Sequence, residues 1–305
     1  MRRRFFVLFA ITAGAAACAS LSGRGRPAFV TPRVQGPPDT GTRPHRDSLT
    51  LLTLNVAHGR GDGFHQAFQA ETTIRRQLDT IAALLRAQDA DVVALQEADG
   101  PSMWSGGFDH VAHLAYGGGY TWHVRGTHAS PPGLDYGTAL LTRSRPTAPG
   151  SVRFAPTPPT PSKGFVVATV RCAGVDIDVV SVHLDFARPD TRARQVDTMV
   201  RTLRERGRAV VIAGDLNAGW TRGGAPRRLA EALDLRAWQP ETLISTFPGR
   251  ETRIDWVLTS RDLEIVEHEV LPDVVSDHRA VRARIRVLPS GDAKRAAGRR
   301  RSGPA

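Results

Sequence analysis

Cysteine is almost missing from the 305 residues: Cys18 and Cys172 are the only two. A disulfide framework is therefore excluded, and a cysteine-built zinc site is disfavoured. Lysine is as scarce. Among 41 basic residues only Lys163 and Lys294 are lysine, and the dominance of arginine reads as coding bias in a GC-rich genome rather than as function. There is no internal repeat. Acidic residues are absent from the N-terminal end and rare at the C-terminal one. Residues 1–30 hold five Arg and no acid, and residues 290–305 carry +4, so only +2 of the net +11 falls on the long stretch between them. That near-neutral middle weakens a charge-based case for a dedicated nucleic-acid binder. What is present is ordinary for a globular fold with a sizeable core: 41% hydrophobic and 23% charged residues.

The ends have their own logic. MRRRFFVLFAITAGAAACAS places Arg2–Arg4 before an apolar run that is too short for a stable membrane span. Residues 1–18 are predicted to be a signal peptide. Its Ala15-Ala16-Ala17-Cys18 resembles a bacterial lipobox, although Ala15 stands where a large aliphatic residue is usual. The expected destination is outside the cytoplasm, lipid-anchored through Cys18 to the cell envelope; a plain cleaved signal would leave the protein periplasmic or secreted. Residues 19–47, rich in Ser, Gly, Pro and Arg, are expected to be a flexible tether, and 289–305 a disordered basic tail. Residues 48–288 form the predicted folded domain. Cys172 is expected to be a small core residue.

Within that domain, apolar runs alternate with helical periodicity. Strands are predicted at 49–57, 91–97, 137–143, 165–170, 176–184, 209–213, 253–259, 264–270 and 280–287, and helices at 71–90, 192–206 and 226–235. Helices followed by buried strands suit a layered α/β build, and the helix-free end implies an antiparallel part. Two sheets packed together with helices outside would bury runs as apolar as LTLLTLNV.

Polar residues recur where those strands end or begin. Asn55, Glu97, His183 with Asp185, and Asp215 with Asn217 close four of them; Asp255 lies in RIDWVL, and Asp277-His278 precede the last. Adjacent strand ends can converge on one cleft. Carboxylate and amide oxygens are hard donors, suited to Mg²⁺, Mn²⁺ or Ca²⁺ and, through the ion, to phosphate.

In order and spacing, TLNVAHG, ALQEAD, VSVHLDF, AGDLNAG, RIDWVL and SDHRAV resemble the endonuclease/exonuclease/phosphatase family over about residues 48–288. The resemblance implies a four-layer αββα sandwich, with two mixed, mostly antiparallel sheets flanked by helices. It also implies a Mg²⁺- or Mn²⁺-dependent hydrolase in which water attacks phosphorus in line. Glu97 would be the main metal ligand, with Asn55 beside it and Asp277 opposite. His278 would be the general base, with Asp215 the competing assignment, and Asp255 would fix the His278 tautomer. Asp215 and Asn217 would orient the nucleophile, and His183 would donate to the phosphate. Thr138 stands where this family commonly has Asn.

Other residues read more plainly. Asp185 either faces the cleft or starts a loop. His58 and His65, in a Gly-rich insertion, are expected on a solvated loop; His110 and His113 on a helix face; Trp220 either at the substrate or over the core. The expected partner is a phosphate ester: a phosphodiester of nucleic-acid or phospholipid type, or alternatively an inositol phosphate or phosphoinositide monoester. No Arg/Lys cluster for extra phosphates stands out in the sequence, nor does an aromatic-tipped hairpin for membrane entry. A catalytically inactive binding module is disfavoured because every recognisable catalytic position holds a competent residue. Oligomeric state is left open.

Overall fold

The computed structural model describes residues 28–38, 47–63, 65–158 and 160–289. The signal, Cys18, much of the tether and the tail beyond 289 lie outside them. The described residues build two seven-stranded sheets. One runs β1 (Phe29–Val30), β7 (Thr147–Arg153), β8 (Gly164–Cys172), β9 (Val175–His183), β10 (Ala209–Asp215), β12 (Asp255–Ser260), β11 (Leu235–Ala237). The other runs β13 (Leu263–Val270), β14 (Val281–Val287), β3 (Ser48–Asn55), β4 (Val92–Asp99), β6 (Tyr136–Thr142), β5 (Trp122–Ala129), β2 (Val34–Gln35). The helices are α1 (Glu71–Gln88), α2 (His110–Gly118), α3 (Pro189–Arg206) and α4 (Ala225–Leu233).

Strand periodicity explains the layering. Leu49 and Leu51 of β3 face the other sheet, meeting Val166, Val179 and Val211 in a central core. Leu52 and Leu54, on the opposite face, meet Ile74, Leu78 and Ile81 of α1. Successive side chains alternate between two apolar layers, so the run is continuously hydrophobic. The first sheet does the same: Val180, Val182 and Ile212 pack outward on Val196, Met199 and Leu203 of α3. Four layers result, as expected. Cys172 is buried in the central core, as expected.

Each sheet has one parallel pair, β3/β4 joined through α1 and β9/β10 joined through α3; the other pairs are antiparallel. The carboxyl ends of both parallel pairs reach one rim. The antiparallel strands β12 and β14 bring their amino-terminal ends to it.

The tether expectation needs correcting for residues 28–35. β1 pairs with β7 and β2 with β5, adding an edge strand to each sheet. The Phe29 ring covers Gly150, where a Cβ would sit 2.0 Å from it. Short edge strands separated by Pro32 carry too few apolar residues to announce themselves. α2 was expected only as a helix face at His110 and His113, and β5, β7 and β11 were unforeseen; Gly and Pro interrupt the periodicity of HVAHLAYGG, WHVRGTHA and TAPGSVR.

Candidate active site

Backbone register assembles the centre of the site. His183, Asp215 and Asp255 are direct partners across β9, β10 and β12. Three ionisable side chains are therefore side by side before any side-chain contact is considered. The other sheet supplies Asn55, whose Nδ2 donates to Asp215 Oδ2 at 3.2 Å, joining the two sheets at the rim. Behind it, Ser276 donates to the Asn55 carbonyl and Ser181 to the Leu95 carbonyl, each at 2.7 Å.

An acid–imidazole chain runs through the centre. His278 Nδ1 lies 2.9 Å from Asp255 Oδ2, and its Nε2 faces Asp215 Oδ2 at 3.8 Å. Burial works against a charge on His278, but Asp255, Asp215 and Asp277 more than offset it and raise the ring above its ordinary value. Burial also raises Asp215; the nearby His278 charge counters that only in part, and Asp255 adds to it. His183 behaves oppositely. Burial and then Lys163 hold it well below its ordinary value, so it is neutral near neutrality. Its Nε2 is 3.5 Å from Asp215.

Glu97 stands across from this chain. β4 bulges against β6 there, between Gln96 and Ala98, and Glu97 has φ 51°. A bulge re-aims one side chain out of the strand's alternation, here into the cleft. Burial pushes the Glu97 carboxyl up, but His58, Lys163, His183 and His278 together hold it well below the usual carboxylate range. Glu97 is therefore ionised, with Oε1 3.9 Å from both Lys163 Nζ and His183 Nδ1.

Of the expected residues, Asn55, Glu97, His183, Asp215, Asn217, Asp277 and His278 line a single cleft of about 680 Å³, with Asp255 behind His278. Two of them have local duties. Asn217, at φ 49°, donates from Nδ2 to the Leu184 carbonyl at 3.0 Å, and its backbone N–H donates to Asp215 Oδ1. Asp277 is ion-paired with Arg60 at the rim. Asp185 proves to start a loop, accepting from the N–H groups of Ala187 and Arg188. His110 and His113 lie on α2, bonded to the Ser105 carbonyl and Asp79. Trp220 lines the cleft, 5.6 Å from the Trp256 ring.

Two expectations fail here. His58 is not on a solvated loop: it is buried, with Nε2 3.2 Å from Glu97 Oε2. The cleft is also not poor in cations, for Arg60, Lys163, Arg250 and Arg253 all line it. They come from separate segments, so no linear cluster marks them. Lys163, only 6% exposed and 5.1 Å from the Tyr136 ring, left one trace in the sequence. It is the one lysine of a folded domain that otherwise uses arginine.

The family model described as Endonuclease/Exonuclease/phosphatase family matches residues 52–278. The chain belongs to that family. No curated protein matches it. Among solved structures, an endonuclease/exonuclease/phosphatase from Beutenbergia cavernae is 22% identical, with a TM-score of 0.63 over 80% of this chain and 73% of that one. A mannosyl-6-phosphatase of Bacteroides thetaiotaomicron is 17% identical, with a TM-score of 0.62 over 78% and 99% of the two chains. The human Nocturnin catalytic domain with bound sulfate is 17% identical, with a TM-score of 0.61 over 86% and 98%. These likenesses establish the shared fold.

Endonuclease/exonuclease/phosphatase proteins are hydrolases of phosphoester bonds that generally depend on a divalent metal. The donor set here fits such an ion. Glu97 is ionised and reaches the cleft, and ligand atoms of Asp215, Asp255 and His278 lie within 4.8 Å of one another. All but one of these donor atoms are oxygens, the set that hard cations prefer.

Proposed function

We propose that this protein is an exported, Mg²⁺- or Mn²⁺-dependent phosphodiesterase that cleaves its substrate by in-line attack of water. The observation that carries the reading is the Asp255–His278–Asp215 chain facing an ionised Glu97 across one cleft. Glu97 and Asn55 would hold the cation, and Asp277 would join them once its pair with Arg60 opens. The bound ion would offset charge developing on phosphorus.

The remaining chemistry belongs to side chains. Asp215 takes the proton of the attacking water: its carboxyl is raised toward neutrality by burial, where a general base is most effective. His278, kept charged by Asp255, stabilises the ionised Asp215 and the developing negative charge. Neutral His183 has one N–H to give to a phosphate oxygen, and Lys163 adds a fixed positive charge beside Glu97. The cleft is several times larger than a phosphate. Phe186, Trp220, Leu243 and Phe247 on its wall suit an organic group on the ester.

The four cations of the cleft support a second reading, a monoesterase acting on a substrate with more than one phosphate. Hydrolysis of bis-nitrophenyl phosphate, plasmid DNA, RNA, sphingomyelin and inositol phosphates, with and without divalent ions, separates the two. Diester cleavage that stops in EDTA and returns with Mg²⁺ or Mn²⁺ is expected; release of phosphate from monoesters alone would overturn the diester reading. Glu97→Ala should lower kcat by about 10³-fold in a folded protein, a loss of the size seen when one key electrostatic group is removed. Full metal-dependent activity in that variant would end the assignment of Glu97. Attachment to the envelope through Cys18 rests on the Arg2–Arg4 and Ala15–Cys18 pattern. Labelled palmitate should be incorporated by the full chain and not by Cys18→Ser.

A further inference from the structure

Behind Glu97, on the side away from the cleft wall, is a second acid–imidazole assembly that the roles above do not use. Asp99 is fully buried. Its Oδ2 accepts from Trp104 Nε1 at 2.9 Å and from the Ser105 hydroxyl, which leaves Oδ1 for His58 Nδ1 at 2.8 Å. The other ring nitrogen of His58 meets Glu97 Oε2 at 3.2 Å. Trp104 and Tyr136 wall the imidazole in, with ring centroids at 4.8 and 5.4 Å.

The backbone is bent to make this contact. Ala57, His58 and Gly59 take φ of 48°, 54° and 72°, and Glu97 itself takes 51°. Left-handed non-glycine residues cost on the order of 1 kcal/mol each and persist where their surroundings over-determine them. Here two such residues, from different segments, end in contact with each other. A loop that merely crossed the surface would need neither bend.

We propose that His58, anchored by Asp99, Trp104 and Ser105, is a positioning residue that fixes Oε2 of Glu97 and leaves Oε1 as the oxygen offered to the cation. The contact geometry fits that division: Oε1 points to the side of Lys163 and His183, and Oε2 is already engaged. Partners of this kind around a metal ligand typically change metal affinity by about 10–100-fold when removed. The proposal rests on the reading of Glu97 as the ligand.

Two substitutions divide the two contacts of one ring. Asn at position 58 places its amide where Nδ1 was, tolerates the left-handed backbone, and reaches Asp99 but not Glu97. Gln reaches the place of Nε2 and so keeps Glu97 while losing Asp99. Mn²⁺ binding to the full chain, followed by calorimetry and by the Mn²⁺ paramagnetic resonance signal, should weaken about 10–100-fold in His58→Asn. His58→Gln should keep most of the wild-type affinity although its metal-free melting temperature falls further than that of His58→Asn. The reverse order, or wild-type Mn²⁺ affinity in His58→Asn, would show that His58 only pins its loop to Asp99, and the proposal would be wrong. Absence of Mn²⁺ binding by the wild-type chain would instead remove Glu97 as a ligand, and both readings would fall together.

Discussion

At the scale of single residues, burial decides what each ionisable group does. His128 is an example outside the proposed chemistry. Burial, aided by Lys163, Arg153 and Arg125, lowers its ring from 6.5 to about 3, and its Nε2 meets the Thr138 hydroxyl at 2.9 Å. Between those two values the unfolded chain binds a proton that the folded chain refuses. The contribution to stability is thus complete above 6.5 and is lost as pH falls toward 3. His128→Gln should therefore flatten the dependence of unfolding free energy on pH by about 1.4 kcal/mol per pH unit between roughly pH 6 and pH 4, measured by urea denaturation without metal. An unchanged slope would mean that the folded ring accepts the proton. Lys163 gives a catalytic counterpart. Lys163→Met should lower kcat/KM for a diester by about 10²-fold, the usual effect of removing one fixed positive group, and a variant with wild-type kinetics would show Lys163 to be only structural. Lys163 and His58 also mark the limit of sequence reading. Asn55, Glu97, His183, Asp215, Asp255 and His278 were legible because each stands where an apolar strand run ends or begins, in motifs that resemble the family's. His58 sits among Gly and Arg, where nothing in the sequence distinguishes a buried ring from a wet one.

At the scale of elements, the strands carry the site through register, and one glycine guards that register. Gly214 adopts φ 142°, and a Cβ there would lie 2.2 Å from the Val182 carbonyl oxygen. The neighbours it separates are the strand ends holding His183 and Asp215. Gly214→Ala should cost about 2–4 kcal/mol, because both the backbone conformation and the strand spacing must change. Activity should fall in the protein that remains folded. Thermal unfolding paired with kcat on the same sample tests this; a stable, active alanine variant would mean the strands can part there at little cost. The main strands and three of the helices were legible because alternation and helical spacing are strong over long runs. α2, with Gly at its end, was legible only as a helix face at His110 and His113, and β7, with Pro149 and Gly150 inside it, was not. Their identity depends on neighbours rather than on local pattern.

For the whole molecule, the layered fold followed from the apolar runs and from the family resemblance, but its outer limits did not. Residues 28–35 close one edge of each sheet. Deleting them should lower the melting temperature by a few degrees, consistent with a loss of about 1 kcal/mol from exposed edges and an uncovered Gly150. Turnover of a small diester should be unchanged, since neither strand lines the cleft. A collapse of activity would show that the edges hold the site's geometry as well as the sheets.

The bond from Asn55 to Asp215 ties one half of the sandwich to the other. Neither half owns the reaction centre, so turnover works as a gauge of their alignment. A pressure, cosolvent or core substitution that slides the halves past each other by an ångström would silence the enzyme while its circular dichroism stayed the same. Inactivation should then precede melting.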